Sequence, residues 1–478
     1  LRRDRQTGIP AHCRRPFPVS SLSTPTSCLE VDFGAIDFNV KLLKSVANPS
    51  AQGPKVGLCA VIKQDGYGLG AARLARRLAS VGADLLAVYS LDEARQLSDV
   101  PIKTPVLVLM PVNQLDRGDP LYRMAVNGRL HLVLHSEQQA CELATLAGRV
   151  GLDLPVHIQV DTGMSRGGCL PDEAQRLVDM VCRTARFQLA GVMTHFSSPG
   201  HDDNFTKEQA RLFRQWVEAI KPRLVEANKK GKLPTLVHAA NTAATLRSSQ
   251  LHANMIRIGQ GLFGYGAEAL DGPAEQIEFA NQAGQLRPAI RWLSRIAHVE
   301  EIPAGWPVGY NRTWHARRPS RIGLVPVGYA SGYPLGLSNR GQVRLTGRKW
   351  DRIRTAGPQE QIIPLSQRAR GGVFAPVIGR VSMDQITIDL TDVPVELCNI
   401  GFEVELVGVD PGAANHLPTL AEQAGTITHE FLCRVSPSVE RTYIVSDEGA
   451  GAGVAGGGGT GDTPAVKISG PNRAAWVA

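Results

Sequence analysis

The sequence predicts an α/β fold in which an N-terminal (β/α)8 TIM-type barrel is followed by a mostly β domain. Between residues 56 and 263, eight short apolar runs alternate with segments of helical period. Continuous rather than alternating apolarity indicates strands that are buried on both faces, as in parallel sheets. Eight strand-then-helix units are typical of a closed barrel. After about residue 284 the runs become shorter and are broken by Gly and Pro, which is typical of a β domain.

The segments between the runs carry the helical pattern. In PDEAQRLVDMVCRTAR, for example, apolar residues beginning with Ala174 recur at i, i+3, i+4, i+7 and i+8. An open doubly wound sheet has the same units, but no Gly-x-Gly-x-x-Gly follows the first run. The eight runs are VGLCAVIK (56–63), ADLLAVYS (83–90), PVLVLM (105–110), LHLVLH (130–135), LPVHIQVD (154–161), LAGVMTHF (189–196), TLVHAAN (235–241) and MIRIGQGLF (255–263).

Four segments follow from this pattern. Residues 1–28 are predicted to be a disordered leader, because they are basic and contain several Pro and Ser residues. The barrel is expected at 29–283 and the β domain at 284–445, within which the polar stretch 349–372 is predicted to be a surface insertion. Residues 446–478 include a Gly-rich stretch and are predicted to be a flexible tail.

Composition excludes several classes of protein. The chain has 478 residues, enough for two domains, and a formal net charge of +8. Its Lys and Arg residues are scattered among acids and only 5% of residues are aromatic, which argues against a nucleic-acid partner. No run of about 18 apolar residues exists, so no membrane span is predicted. The eight cysteines form no Cys-x-x-Cys or zinc spacing, so we expect no metal and a reducing, cytoplasmic setting.

The carboxyl ends of the predicted barrel strands are unusually polar. Because these ends meet on one rim, where barrel enzymes carry their active sites, the side chains there are candidates for chemistry. Each one alone is more often a solvated strand end or a structural residue, but five polar ends on one rim are harder to explain in that way. The candidates are Lys63, Arg166, Thr194 with His195, Asn241 with Thr242, and Arg257 with Gly259.

A lysine at the end of a buried strand indicates covalent chemistry with an aldehyde. Burial lowers the pKa of a lysine amine, which makes Lys63 a competent imine-forming nucleophile. The Gly-rich segment IGQGLFGYG, after the eighth run, can direct backbone N–H groups at a phosphate. An imine-forming lysine and a phosphate site together favour pyridoxal 5'-phosphate (PLP) as cofactor.

The motif AVIKQDGYGLG (60–70) resembles the PLP-lysine segment of the alanine racemase family. The resemblance continues in order from about Leu29 to Val445 and implies a PLP-binding barrel with a β domain. On the cofactor side it implies that Lys63 forms the imine, that Arg257 faces the ring nitrogen, and that several residues surround the phosphate. Within AVIKQDGYGLG, Tyr67 is implied to hold the cofactor phosphate. The motifs HAANTAATL, MIRIGQGLFGYG, MTHF and THEFL supply the remaining cofactor-side residues, which are His195, Asn241, Thr242, Gly259, Gln260 and His429, with His238 beside Arg257.

The same resemblance implies the residues that handle the substrate. Arg166 in DTGMSRGG and the backbone of Met383 in GRVSMDQ would bind a substrate carboxylate. PAGWPVGYNRTW carries Tyr310 at the position of the family's second base, and VPVGYASGYP places Tyr329 at the entrance. The implied activity is racemisation of L-alanine and D-alanine, supplying D-alanine for peptidoglycan. Removing a proton from one face of Cα and returning one to the other requires two bases, here Lys63 and Tyr310.

The resemblance also implies a homodimer with shared active sites, because the family's second base enters the site of the neighbouring subunit. Several positions depart from common family choices, and two of them bear directly on the site. Gln159 replaces a lysine that is carbamylated in many members, and we expect its amide to accept a hydrogen bond from Arg166 instead. His429 replaces a tyrosine at the entrance, so the expected shape of the entrance differs.

Three alternatives remain at this point. A serine or broad-specificity amino-acid racemase would share every motif, because pocket size decides the substrate. A non-catalytic PLP-binding protein would lack both a β domain and a counterpart of Tyr310. A decarboxylase of related architecture would place an acid, rather than Arg257, against the ring nitrogen.

Overall fold

The computed structural model describes residues 25–50, 54–230, 234–266, 270–273, 276–350 and 371–445. The described chain begins with strand β1 (Ser27–Asp32) and helix α1 (Phe33–Ala47). The Asp32 carboxylate caps α1 by accepting the Gly34 N–H at 2.8 Å. Helix α1 then leads into the barrel.

Eight parallel strands form a closed barrel, which confirms the predicted fold class. Each strand lies inside or within two residues of one predicted apolar run. Their side chains are almost all buried, because helices cover the outside while apolar residues such as Leu107, Val133 and Met193 fill the inside. The strands are β2 (Gly57–Val61), β3 (Leu85–Val88), β4 (Val106–Val108), β5 (Leu130–Leu134), β6 (Leu154–Gln159), β7 (Phe187–Met193), β8 (Leu236–His238) and β9 (Met255–Ile258).

Helices follow the barrel strands and pack on them. The helix predicted after the fifth run begins at Pro171 and buries Ala174, Leu177, Val178 and Val181. In the described ranges, no helix is both long and apolar enough to cross a lipid bilayer. The helices are α2 (Lys63–Gly68), α3 (Ala71–Ser80), α4 (Leu91–Arg95), α5 (Leu121–Val126), α6 (Glu137–Val150), α7 (Pro171–Arg183), α8 (Asp203–Lys230), α9 (Thr242–Arg247) and α10 (Ala280–Ala283).

The second domain is built on a nine-stranded sheet. Its strand order is β11-β14-β17-β16-β15-β18-β10-β1-β19, and a two-stranded ribbon joins β12 to β13. Two short helices precede the last strand, namely α11 (Leu417–Gln423) and α12 (Thr428–Arg434). The strands are β10 (Ile290–Arg295), β11 (His298–Ile302), β12 (Pro307–Val308), β13 (Trp314–His315), β14 (Ser320–Val325), β15 (Gln342–Lys349), β16 (Val373–Ile378), β17 (Ile386–Asp389), β18 (Phe402–Val407) and β19 (Glu440–Ile444).

The structure differs from the predicted segment boundaries at the start of the chain. Strand β1 begins at Ser27, inside the predicted leader, and belongs to the sheet of the second domain rather than to the barrel. It pairs antiparallel with β10 and parallel with β19. A buried ion network reinforces this placement, because Arg291 on β10 contacts Glu30 on β1 at 3.4 Å and Glu403 on β18 at 2.7 Å. Residues 1–24 of the predicted leader, the predicted tail and most of the predicted insertion lie outside the described residues.

Candidate active site

A cavity of about 720 Å³ opens at the carboxyl ends of the barrel strands. It brings together residues from the carboxyl ends of all eight barrel strands and from α12 of the second domain. Parallel strands place these ends on one rim, so distant segments of the sequence meet here. Ten of the twelve predicted site residues line this cavity: Lys63, Tyr67, Arg166, His195, Asn241, Thr242, Arg257, Gly259, Gln260 and His429.

Lys63 lies two residues beyond the last residue of β2, facing the cavity. Partial burial lowers the pKa of its amine, and the positive charge of Arg166 lowers that pKa further. The carboxylate of Glu93 acts in the opposite direction. Because a neutral amine is the form that attacks a carbonyl, this environment makes Lys63 more reactive than an exposed lysine.

The four residues after Lys63 form a left-handed turn. Gln64, Asp65, Gly66 and Tyr67 all have φ between 51° and 65°, a conformation that costs free energy for the three that are not glycine. Hydrogen bonds compensate, since Glu93 Oε1 accepts the Gln64 N–H at 3.1 Å. Strain held in place by surrounding contacts is typical of functional sites. Here the turn carries Tyr67 to the cavity wall.

Tyr67 and Gly259 both line the cavity and lie against each other. A Cβ atom on Gly259 would lie 2.3 Å from the Tyr67 hydroxyl oxygen, so only glycine leaves room for that hydroxyl. The ring of Tyr67 is buried, and it packs edge-on against Phe263 with 5.5 Å between ring centroids. The phenol is therefore fixed beside the loop that follows β9.

The loops after β8 and β9 lie against each other next to Tyr67. Asn241 caps α9 by accepting the Ala244 N–H at 3.1 Å, and the Thr242 hydroxyl accepts the Gly261 N–H at 3.3 Å. Gln260 begins a short 3-10 turn that continues to Phe263. Hydroxyl groups, an amide side chain and the backbone of a Gly-rich loop therefore meet in one place, a donor set suited to a phosphate group.

Arg257 on β9 is almost fully buried and holds two histidines. Its Nη1 group donates to Nδ1 and to the carbonyl oxygen of His238, at 3.1 and 2.8 Å. Its Nη2 group donates to the Thr194 carbonyl at 2.7 Å, to His195 Nδ1 at 3.2 Å and to the Ala239 carbonyl at 3.1 Å. Burial lowers the pKa of Arg257 to about 10, so the guanidinium stays charged at neutral pH. No hydrogen bond among the described residues uses its Nε–H, which remains available as a donor.

The two histidines that contact Arg257 are neutral. Burial lowers the pKa of His195 to about 3, and the charge of Arg257 adds to this effect. Burial likewise holds the pKa of His238 well below its usual range, and the positive charge of Arg257 lowers it further. Each ring accepts through Nδ1, so each carries its proton on Nε2.

A line of histidines extends from Arg257 into the barrel interior. His238 Nε2 lies 3.0 Å from His157 Nδ1, and His157 Nε2 lies 2.9 Å from His131 Nδ1. Gly191 makes space for this line, because a Cβ there would lie 2.2 Å from the ring of His157. His131 and His157 were not among the site residues predicted from the sequence. The sequence does contain a sign of them, because each is a single histidine within the apolar part of a predicted strand.

Arg166 lies in the loop after β6, exposed to the cavity. The expected hydrogen bond from Arg166 to Gln159 is absent from the described structure, and that prediction was wrong. Gln159 instead donates from Nε2 to the Gly167 carbonyl at 2.8 Å. The amide reaches backbone one residue beyond the arginine because Gly168 lets the loop fold closely over it. A Cβ on Gly168 would lie 2.7 Å from the Gln159 carbonyl oxygen.

His429 on α12 brings the second domain to the cavity. Its ring centroid lies 5.6 Å from that of Tyr67. Burial lowers the pKa of His429, and the charge of Lys63 lowers it further, so the ring is neutral at neutral pH. A neutral imidazole retains one N–H donor, which can face a phosphate at this end of the cavity.

Tyr310 and Met383 do not line the cavity of their own chain. Their exposed fractions are 68% and 54%. Tyr310 follows Gly309, whose φ is 73°, and Met383 is fixed through its carbonyl, which accepts the Ala330 N–H at 3.0 Å. Tyr329 is also exposed. One chain alone therefore does not bring Lys63 and Tyr310 together.

The fold and the cavity define a class of protein: a barrel with a lysine of lowered pKa and a rim suited to a phosphate group, followed by a β domain. Family models agree. The model described as "Alanine racemase, N-terminal domain" matches residues 31–267, and the one described as "Alanine racemase, C-terminal domain" matches 289–357 and 364–443. This chain belongs to the alanine racemase family, whose members are PLP-dependent isomerases.

Individual relatives are similar over nearly their whole length. The alanine racemase of Halothermothrix orenii is 31% identical over 415 residues, which is 87% of this chain and 96% of the relative. That of Treponema pallidum is 33% identical over 397 residues, covering 81% and 93%. Among solved structures, alanine racemase from Streptomyces lavendulae has a TM-score of 0.70 at 26% identity, covering 89% of this chain and 99% of that one. The E. faecalis enzyme has a TM-score of 0.69 at 28% identity, covering 88% and 98%.

Proposed function

We propose that this chain interconverts L-alanine and D-alanine with PLP, and that Lys63 and Tyr310 are the two bases. The observation that supports this most is the cavity itself. It combines a lysine of lowered pKa, a buried charged arginine and a phosphate-binding rim within a single barrel mouth. The alanine racemases among its relatives carry the same two-domain plan.

The residues present fit PLP. Lys63 would bind the aldehyde carbon of PLP. Arg257 would donate its available Nε–H to the ring nitrogen of the cofactor. The hydroxyl of Tyr67, which Gly259 allows to lie beside the Gly-rich loop, and the hydroxyl of Thr242 suit a phosphate group. When bound, PLP supplies a conjugated ring that withdraws electrons and so acidifies the Cα–H of an attached amino acid. The residues proposed to hold the phosphate are Tyr67, Asn241, Thr242, Gly259, Gln260 and His429. His195 is proposed to act on the cofactor indirectly, by accepting a hydrogen bond from Arg257.

The proton transfers are assigned to two groups. Lys63 Nζ takes or returns a proton on one face of Cα, and the Tyr310 hydroxyl does so on the other. Arg257 stays charged and gives up no proton, which disfavours a fully protonated ring and therefore limits side reactions that need a long-lived carbanion. Arg166 and the Met383 backbone are proposed to hold the substrate carboxylate.

A homodimer is part of the proposal, because the cavity of one chain lacks Tyr310. Trp306, Tyr310 and Met383 are all more than half exposed on the second domain, which suits a surface covered by a second copy. D-alanine made by such a dimer would serve peptidoglycan synthesis. The cysteines in the described part of the chain are free thiols, consistent with a reducing, cytoplasmic setting.

The decisive experiment combines absorbance with chiral product analysis. Purified protein loaded with PLP should show an imine band that borohydride abolishes, and it should racemise alanine faster than serine or other amino acids. Lys63→Ala should lose the band and lower racemisation by about 10³-fold or more, since it removes both the imine and one base. Lys41→Ala, at an exposed position on α1, is the matched control and should leave both unchanged. A retained imine band in Lys63→Ala would reject the lysine assignment, and faster serine turnover would reject alanine as the substrate.

A further inference from the structure

The backbone on the carboxyl side of Arg166 is held by two side chains, one from the end of the preceding strand β6 and one from the end of the neighbouring strand β5. Gln159, the last residue of β6, donates from Nε2 to the Gly167 carbonyl at 2.8 Å. His135, directly after β5, accepts the Gly168 N–H through Nδ1 at 2.9 Å. Both hydrogen bonds fall within two residues of the arginine, so they fix where its side chain leaves the loop.

The other flank of the arginine is fixed separately. The Asp161 carboxylate accepts the N–H groups of Gly163, Met164 and Ser165, at 2.8, 2.9 and 3.1 Å. The guanidinium of Arg166 itself makes no hydrogen bond with any described residue. Its position therefore depends on the loop backbone rather than on a partner for its charge.

His135 is suited to this role because its proton is already placed. Its Nε2–H donates to the Leu109 carbonyl at 2.9 Å, which leaves Nδ1 free to accept. Burial lowers the pKa of His135, so the ring stays neutral and Nδ1 keeps its lone pair. The backbone of His135 is fixed in turn, because its N–H donates to the side chain of the buried Gln139 at 2.8 Å.

The two glycines after Arg166 match the two side chains that hold them. Gly168 has φ of 93°, and a Cβ there would lie 2.7 Å from the Gln159 carbonyl oxygen. A Cβ on Gly167 would lie 3.3 Å from His135 Nδ1. The sequence Arg-Gly-Gly is thus what lets the loop lie closely over both His135 and Gln159.

We propose that His135, together with Gln159, is a positioning residue that sets Arg166 for the substrate carboxylate by holding the loop backbone on its carboxyl side. This inference rests on the proposed racemisation of an amino acid. In the proposed arrangement two neutral side chains take the place of a charged partner of the arginine. Both hydrogen-bond to the loop backbone, and neither hydrogen-bonds to the guanidinium.

Two substitutions separate the two hydrogen bonds of the imidazole. His135→Asn places an oxygen near the position of Nδ1, so it retains the acceptor for the Gly168 N–H and loses the donor to Leu109. His135→Gln places an N–H near the position of Nε2, so it retains the donor and loses the acceptor. We expect His135→Gln to raise KM for both alanine enantiomers about fivefold to thirtyfold, with a smaller effect on kcat. His135→Asn should stay within about twofold of the unchanged protein.

Two readouts do not depend on turnover. Hydrogen exchange at the Gly168 amide should be faster in His135→Gln than in His135→Asn, because only the second retains an acceptor for it. Affinity of the PLP-loaded protein for propionate, a carboxylate without an amine, should fall in His135→Gln by the same factor as KM rises. Gln159→Met, which keeps the length and removes the donor, should weaken propionate binding likewise. His298→Gln, at an exposed position on β11, should change nothing.

The outcomes distinguish this inference from the proposed function. If the unchanged protein does not racemise alanine, the proposed function fails, whereas the propionate and exchange measurements still test the positioning role. Equal effects of His135→Gln and His135→Asn would show that the ring acts by packing and would overturn the proposal. Faster exchange at Gly168 with unaltered propionate affinity and KM would overturn it as well.

Discussion

Gly259 illustrates how one residue shapes this cavity by what it leaves out. Its missing Cβ is what allows the Tyr67 hydroxyl to lie beside the loop after β9, at a distance where a methyl group would overlap it. Gly191 does the same for His157 inside the barrel. In both places a small residue allows a polar ring to be buried.

His416 offers a test of how a single buried ring responds to pH. It lies against Tyr265, with 5.9 Å between ring centroids, and burial lowers its pKa to about 4 despite the nearby charge of Asp410. The folded protein therefore keeps this ring neutral while the unfolded chain takes up a proton below about pH 6.5. The stability that His416 contributes is present above pH 6.5 and is lost as the pH falls toward 4.

We expect His416→Leu to flatten the acid dependence of stability. Between pH 7 and pH 5, the unchanged protein should lose about 1–2 kcal/mol more of its free energy of unfolding than the variant does. Denaturant melts at both pH values measure this difference. At pH 8 the His416 ring is neutral in both the folded and the unfolded chain, so a melt at that pH gives the packing cost of the substitution. Parallel pH profiles for the two proteins would contradict the assigned shift.

At the scale of elements, the barrel strands were predictable because each one is a continuous apolar run. Their polar ends were predictable too, since Lys63, His195 and Arg257 interrupt the apolar pattern at the same end of their strands. Strand β1 was not, because its partners β10 and β19 lie more than 250 residues away along the chain. The hydrogen bond expected between Gln159 and Arg166 was not predictable for a related reason: Gln159 bonds to a loop that also contacts His135, a residue from the end of another strand.

The left-handed turn α2 could not be predicted either, since Gln64 and Asp65 rarely adopt positive φ. A contact outside the turn maintains it. Glu93 accepts the Gln64 N–H at 3.1 Å with one carboxylate oxygen and the Tyr89 N–H at 2.7 Å with the other. This carboxylate thus links the segment after Lys63 to the end of β3, and its charge raises the pKa of the Lys63 amine.

Glu93→Ala should disturb both the turn and the lysine. Loss of two hydrogen bonds to backbone N–H groups should lower the free energy of unfolding by about 1–3 kcal/mol. Removal of the negative charge should lower the pKa of Lys63 further, because Glu93 acts against burial and Arg166. Uptake of PLP by the cofactor-free protein, followed against pH, should then reach half its maximal rate at a lower pH. Asp92→Ala is the matched control, since Asp92 is exposed and contacts only Arg95 among the described side chains. An unchanged pH midpoint would reject this role for Glu93.

At the scale of the whole molecule, the two domains contribute to the cavity differently. Helix α12 brings His429 into the cavity of its own chain, whereas Tyr310 and Met383 are exposed and do not line it. The proposed head-to-tail dimer would account for this arrangement, because each chain would supply Lys63 to one site and Tyr310 to the other. Activity would belong to the dimer, and the monomer would lack one of its two bases.

Mixing two inactive variants tests this arrangement directly. Lys63→Ala and Tyr310→Phe should each racemise alanine poorly as pure dimers, because every site in them lacks one base. After dissociation and reassociation at equal amounts, half of the dimers are mixed, and one site of each mixed dimer contains both damaged residues while the other is intact. About a quarter of the unchanged activity should therefore return. If Lys63 and Tyr310 instead served a site within one chain, every site in the mixture would still carry one damaged residue. Absence of recovery in a mixture whose mixed dimers are verified by mass spectrometry would exclude the shared site.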